Sequence, residues 1–448
     1  MDPSLPGSSS SRPDPAARPD PAPGPDPAAR PDPAARPGSA DGPRVQPGLP
    51  PRERTFLRVT GPADLVAAMP YLVGFQPVRS VVVVSLRGAR LRCGLVARVD
   101  VPLPGDVGPW ADGLVSFVLQ DQPREVVVLV HHDRPWRASH RPFGPAVEAL
   151  ERRFADAGVA LKDALYVTPD RFWSYLCSEP RCCPPEGRPV EPGRSSAVAA
   201  SYVAEGRAPL TDRDAVLAQL DPGPADVLAA TCRAAEDSLR LALAGSRDLQ
   251  TAWRMWQTGT ADLFSVLVRR RLDGDTTEPS RREVGRVVAG LLDRTARDLV
   301  GVRSTGWVRA MPGMSDWLGD TGQPLDAVPD DPGTDLGELR RLLRGCARPE
   351  DPRTNTAQGQ QEVAAVLADL CRRCDGQLAV SPLVLAGMQA WSNGNGVVAW
   401  AAVDRVLALD RNCTMAGLLK RLLEHGIAPA WVDQDRADDE AAPPRAPG

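Results

Sequence analysis

The sequence predicts an α/β domain, a mixed and mostly parallel sheet with flanking helices, followed by an all-α C-terminal region and preceded by a disordered Pro-rich N-terminus. Three observations carry this prediction. Ser80–Leu86 and Glu125–Val130 are unbroken β-branched runs of the kind strands covered on both faces show. Segments of helical period separate those runs, as crossovers between strands would. From about Ala197 onward the apolar period is helical almost throughout. The boundaries that follow are a leader at 1–52, an α/β domain at 53–205, a helical region at 206–330, a C-terminal helical region at 331–432 and a disordered tail at 433–448.

The leader holds sixteen of the 47 prolines within its first 51 residues, lacks aromatics, and repeats Arg-Pro-Asp-Pro-Ala-Ala at 12–17 and 30–35. Such a segment has little apolar surface to bury against the entropy of ordering it, and its prolines favour an extended, solvated chain. A spacer is the expectation. Pro62 with Ala63, Leu65, Val66 and Met69 predicts a short helix with proline in its first turn. The run at 80–86 is followed, across Arg87-Gly88-Ala89, by alternation of Leu91, Cys93, Leu95, Ala97 and Val99 with more polar neighbours, which predicts a hairpin. A helix at 107–120, the strand at 125–130 and a helix at 144–157 come next. Val159–Val167 reads as a third parallel element, and Phe172–Leu176 as an antiparallel partner.

Helical stripes then follow one another: Trp253, Trp256, Leu263 and Leu267; Val284, Val287, Val288, Leu291, Leu292 and Leu299; Leu336, Leu339, Leu342 and Leu343; Val363, Val366, Leu367 and Leu370. A Gly/Asp/Pro-rich stretch at 318–334 divides them. Leu383–His425 reads as a helical hairpin plus a third helix. Its faint tetratricopeptide-like spacing is one copy only, too few for a solenoid.

Composition narrows the functional classes. A net charge of −4 and a pI near 5.8 remove the electrostatic basis for nucleic-acid or anionic-membrane binding. No run approaches the ~18 apolar residues of a spanning helix, and the first residues lack the basic and apolar regions of a secretory signal. Nine cysteines, an odd number, read as reduced thiols of a cytoplasmic protein. Only Lys162 and Lys420 of the 53 basic residues are lysines, but the arginines are spread along the whole chain and carry no functional weight.

Three segments carry a recognisable pattern. They are Leu57-Arg-Val-Thr-Gly-Pro-Ala-Asp-Leu65 leading to Pro70-Tyr-Leu-Val-Gly-Phe-Gln-Pro-Val-Arg-Ser80, then Arg171-Phe-Trp-Ser-Tyr-Leu-Cys-Ser-Glu-Pro-Arg-Cys-Cys-Pro-Pro-Glu-Gly187, and finally Ala390-Trp-Ser-Asn-Gly-Asn-Gly396 with Gly426-Ile-Ala-Pro429. Together these resemble the actinobacterial domain-of-unknown-function family 4192 over roughly residues 55–432. Gln76 stands where that pattern commonly has histidine. The resemblance implies a cytoplasmic protein with an α/β front and a helical rear, and brings no activity, substrate or cofactor.

Candidate chemistry lies in two places. His131-His132-Asp133 follows the second buried strand, at the carboxyl end where open α/β sheets bind ligands, and a His–Asp neighbour suits proton transfer or metal binding. No phosphate-binding glycine loop or nucleophile elbow accompanies it, so solvated or structural histidines are the blander reading. Arg171, Trp173, Tyr175 and Glu186 join these three as candidate ligand contacts. Trp173 and Tyr175 share one strand face, opposite Ser174, and an aromatic filling between packed parts fits them equally well.

The second place is Cys177, Cys182 and Cys183. Zinc wants four ligands, usually as two spaced pairs; Cys-x4-Cys-Cys offers three, two of them adjacent, and the nearest histidine in sequence is His140. A loop with small buried thiols is the default, a Cys177/Cys182 redox pair the lesser option, and zinc, though not favoured, the cofactor to test. Cys371-Arg-Arg-Cys374 continues an apolar stripe at a helix C-terminus, where the dipole opposes a thiolate, and reads as packing. Arg269–Arg271, and Arg340 and Arg341 with Arg344, have acidic neighbours and read as solvated helix faces.

The functional expectation is a non-catalytic binding or scaffold protein whose helical region docks a protein partner or a second copy. The alternative is a small-ligand enzyme or sensor at the sheet's carboxyl end, and the third reading a zinc-stabilised domain.

Overall fold

The structure is a computed structural model that describes residues 61–310 and 351–430, apart from Ala138, His140, 191–196, 205–208 and 245–247. The Pro-rich leader, the 318–334 break, the Leu336–Leu343 stripe, Arg340, Arg341 and Arg344, and the tail lie outside these residues.

Helix α1 (Pro62–Val73) opens the described chain. Pro62 sits in its first turn, where its missing N–H has no helical partner to lose. Gly74 ends the helix in the left-handed region (φ 91°), its N–H donating to the Pro70 carbonyl. Strands β1 (Ser80–Arg87) and β2 (Arg92–Asp100) form the expected hairpin. Then come α2 (Val107–Leu119), β3 (Glu125–His131), α3 (Gly144–Asp156), β4 (Ala160–Val167), β5 (Arg171–Ser174) and β6 (Arg188–Pro189).

The strands make one mixed sheet in the order β2-β1-β3-β4-β5-β6. The mixed α/β class is as expected, but the parallel share is smaller: only β3 and β4 pair parallel, and the other four pairings are antiparallel. Two of those four involve β1, and the other two join β5 to β4 and to β6. The β2-α2-β3 crossover does return the chain in the same direction, yet β1 sits between its two strands and opposes both. Carboxyl ends of β2, β3 and β4 therefore still gather at one end of the sheet.

Alternation along each strand feeds two apolar layers. Val81, Val83, Val126, Val128, Val130 and Tyr166 pack with Leu114 and Val118 of α2 and with Leu150 and Phe154 of α3. Val82, Val84, Val127, Leu129, Leu165 and Val167 pack with Leu65, Val66 and Met69 of α1. Asp121, buried at the end of α2, fastens the hairpin to that helix, accepting from Ser85 Oγ (2.6 Å) and the Leu95 N–H (2.9 Å).

After β6 no described residue belongs to a strand; Leu210 makes only an isolated bridge to Phe75. The helices are α4 (Ala197–Ala204), α5 (Arg213–Ala218), α6 (Ala225–Ala244), α7 (Leu249–Leu272), α8 (Arg281–Leu291), α9 (Arg294–Ser304) and α10 (Trp307–Ala310). Beyond a short 3-10 turn (Pro352–Asn355) follow α11 (Ala357–Arg372), α12 (Gly376–Ser392), α13 (Gly396–Leu409) and α14 (Thr414–Glu424). Side-chain caps start several of them, among them Asp248, Asp293 and Thr356, with a full capping box between Ser280 and Glu283.

Helix α12 is the axis of this part, every residue from Pro382 to Ser392 being buried. One core contains Phe264, Val287 and Leu299 as well as Leu367, Leu385 and Leu419, so helices on both sides of the undescribed segment share it. A buried polar seam crosses that core. Gln360 Nε2 donates to the Ser304 and Thr354 carbonyls (2.9 Å each), Gln389 Nε2 to the Gln360 carbonyl (2.8 Å) and Asn393 Nδ2 to Gln360 Oε1 (3.0 Å). No described helix is long and apolar enough to cross a membrane.

Candidate functional site

His131 closes β3, paired across the sheet with Ser80 and Val167. It shares its face with Val127 and Leu129, so its ring turns into the α1 layer, where it is buried. Its Nε2 and the neighbouring Ser80 Oγ have no hydrogen-bond partner among the described residues. Burial pushes the imidazole pKa down to about 4, leaving a neutral ring at physiological pH.

His132 leaves the strand, its N–H donating to the Val167 carbonyl (3.0 Å). Its Nδ1 lies 2.8 Å from Asp133 Oδ1 and 3.1 Å from the Arg134 N–H, and its ring rests against Phe143 with centroids 4.9 Å apart. Burial lowers its pKa, against the raising effect of Asp133. Asp133 also meets Arg79 Nη2 at 3.3 Å, and that guanidinium holds its carboxyl below the ordinary range. These residues make a small polar cluster where β3 meets the start of β1.

The aromatic candidates occupy the opposite face, in the α2/α3 layer. Trp136 stacks on Trp173 (5.8 Å, 13° between planes) and meets Tyr175 edge-on at 5.3 Å and Tyr166 at 5.6 Å. Three polar tips are engaged: Tyr166 Oη donates to the Arg134 carbonyl (2.7 Å), Tyr175 Oη to the Pro142 carbonyl (2.6 Å) and Trp173 Nε1 to the Pro185 carbonyl (3.0 Å). Trp173 and Tyr175 share a face as expected, and Phe172 joins the other layer. His131 and Trp173 thus stand on two sides of one sheet.

The loop from Tyr175 to Gly187 links β5 to β6 and is pinned at both ends. Arg141 Nη1 donates to the Tyr175 carbonyl (2.5 Å). Ser174 Oγ donates to Asp163 Oδ1 (2.8 Å) and accepts from the N–H groups of Leu176 (3.1 Å) and Cys177 (3.0 Å). Arg171 Nη1 reaches the carbonyls of Gly187 (2.8 Å) and Glu186 (3.3 Å), so Glu186 contributes its main chain and leaves its carboxylate exposed. Gly187 has φ 80°, and a Cβ there would strike the Trp173 ring.

Within the loop, the sulfurs of Cys177, Cys182 and Cys183 lie within 4.8 Å of one another. Cys177 Sγ and Cys182 Sγ are 3.1 Å apart, Cys182 Sγ and Cys183 Sγ 3.8 Å. The N–H groups of Cys182 and Cys183 both donate to the Glu179 carbonyl (3.2 and 2.8 Å), which turns the two side chains back towards Cys177. Hydrogen bonding from Cys183 and then Cys182 holds the Cys177 thiol below its ordinary pKa, whereas loss of solvation around the half-covered Cys183 pushes its thiol up to about 12.

Trp136, Asp163 and Arg141 also belong to this neighbourhood and had no motif to announce them. Trp136 follows the His-His-Asp triplet by three residues, and that proximity was the available signal. Cys371 and Cys374 are buried in the helical core, as their stripe suggested. Arg270 and Arg271 pair with Glu283 and Glu362, each at 2.7 Å.

One further feature escaped the periodic reading. At the tip of the α6–α7 pair, Leu241 (65%), Leu243 (64%), Leu249 (65%) and Met255 (68%) are exposed, with Trp253 at 40%, although Trp256 in the same stripe is buried.

A family model described as a domain of unknown function (DUF4192) matches residues 62–311 and 337–430. No curated protein and no solved structure matches the chain.

Proposed function

The chain belongs to the DUF4192 family, and from that premise we propose that it is a cytoplasmic binding or scaffold protein, in which an α/β module carries a helical region that docks a partner protein. The observation that supports this reading is the apolar α6–α7 tip. Leu241 and Leu243 stand about 200° apart around α6, so a flat surface would cover one and leave the other. Leu249, Trp253 and Met255 add apolar surface where α7 begins, before the helix enters the core at Trp256. A groove that encloses the tip would cover all five. Burying one such side chain contributes about 1.5–3 kcal/mol, so a few of them suffice for a stable contact.

The test is position-specific crosslinking with the full chain in its native host. A photo-reactive residue at Met255 is expected to give one discrete protein adduct that is absent when the same residue replaces exposed Arg281 and is lost in the Leu241→Glu, Leu249→Glu double variant. Equal adducts at both positions, or none at Met255, would overturn the reading.

A further inference from the structure

We infer that Cys177, Cys182 and Cys183 form a thiolate site for one zinc ion, with the fourth coordination position open to water or an incoming ligand. The inference is independent of the docking role above. It begins with the loop's lack of any core: from Leu176 to Glu186 no residue is buried. Hydrophobic burial therefore does not gather these side chains, yet three sulfurs occupy one small volume. The hydrogen bonds from Arg141 and Arg171 hold the two ends of the loop, and between them convergent ligands with little to bury are what a cross-link would hold.

The spacing in sequence argued against a metal because neighbouring cysteines seldom reach one ion. The structure removes that objection. With both N–H groups on the Glu179 carbonyl, Cys182 and Cys183 direct their sulfurs to the same side, 3.8 Å apart. A zinc–thiolate bond of about 2.3 Å gives a tetrahedron with an edge of about 3.8 Å. The Cys177–Cys182 contact of 3.1 Å is shorter than that edge, and Cys177 would withdraw by about 0.7 Å to seat an ion.

Three sulfurs also favour a metal over a disulfide. A disulfide uses two and leaves Cys183 unexplained, whereas all three are equivalent around one ion. The donors are soft, which selects zinc or another thiophilic ion over magnesium or calcium. Among the described residues no carboxylate or imidazole joins the three sulfurs within 4.8 Å. Three thiolates around a divalent ion carry one negative charge, and Arg181 stands next to the site in the chain.

The experiment is metal analysis of the full-length chain, purified under reducing conditions without chelator and without a polyhistidine tag. About one zinc per chain is expected, falling below about a tenth in Cys182→Ser and unchanged in Cys232→Ser, which removes a thiol of α6. Replacing zinc with cobalt(II) is expected to give sulfur-to-metal charge-transfer absorption, a readout that stays informative when a serine variant folds poorly. A metal-free protein whose three loop thiols titrate freely and that takes up no cobalt overturns the inference. So does a Cys177–Cys182 disulfide in the reduced preparation, or stoichiometric binding of a metal other than zinc.

Discussion

The indole of Trp173 occupies the space where a side chain at Gly187 would stand, and the two are tied further by Trp173 Nε1 donating to Pro185 two residues away. Gly187 also needs its positive φ. Gly187→Ala is therefore expected to cost about 1–3 kcal/mol, through backbone strain and a displaced indole. Denaturant unfolding gives the magnitude, and near-ultraviolet circular dichroism reports whether the stacked Trp136–Trp173 pair has moved. Unchanged stability would mean that the loop is not seated on the indole.

His131 makes stability depend on acid in a definite window. Its pKa is about 4 in the folded chain and about 6.5 unfolded. Above the upper value neither state holds the proton. As pH falls from about 6.5 to 4 the unfolded chain takes up a proton the folded one excludes, so stability drops by about 1.4 kcal/mol per pH unit, about 3 kcal/mol in all. His131→Leu should remove that component and also relieve the unpartnered Nε2. Urea unfolding of both proteins at pH 7, 5.5 and 4.5 compares the slopes, and parallel curves would refute the assignment.

Gln360 holds four groups at once, so its loss should be felt beyond one hydrogen bond. In Gln360→Leu the Ser304 and Thr354 carbonyls lose donors and Asn393 loses an acceptor, all beside the core. About 2–4 kcal/mol of destabilisation is expected. Thermal unfolding measures it. A variant within about 0.5 kcal/mol of the parent would show the seam to be incidental.

Cys371 and Cys374 should be inert in the folded protein. Burial pushes the Cys374 thiol up to about 12 and raises Cys371 as well, and the thiolate is the reactive form. Mass spectrometry after alkylation at pH 8 should find both unmodified until denaturant is added. Modification of either under native conditions would contradict their place in the core.

Much of the fold was legible in the sequence because the strongest signals are local. Ser80–Leu86 and Glu125–Val130 are too apolar and too β-branched to be anything but covered strands, and the Gly88 link set the hairpin. Strand direction was less legible: nothing local records that β1 inserts between β2 and β3, and that placement puts an antiparallel pairing on each side of β1 where a direct β2·β3 contact would have been parallel. The candidate site suffered from the same limitation. His131 of β3 and Trp173 of β5 are separated in the sheet only by β4, but period-two alternation sends them to different faces, and only the register shows which. The cysteine loop was visible as a motif, while its convergence depends on the Glu179 carbonyl, which no spacing rule includes. Leu241 and Leu243 were lost because a stripe records where a helix is apolar, not where its core ends.

The core shared by α7–α9 and α11–α14 means that the covalent link between Ala310 and Asp351 is not what unites the helical part. Phe264 and Leu385 belong to one cluster, and Gln360 reaches Ser304 across it. Two polypeptides, one ending at Ala310 and one starting at Asp351, should therefore assemble on mixing into a native-like noncovalent complex.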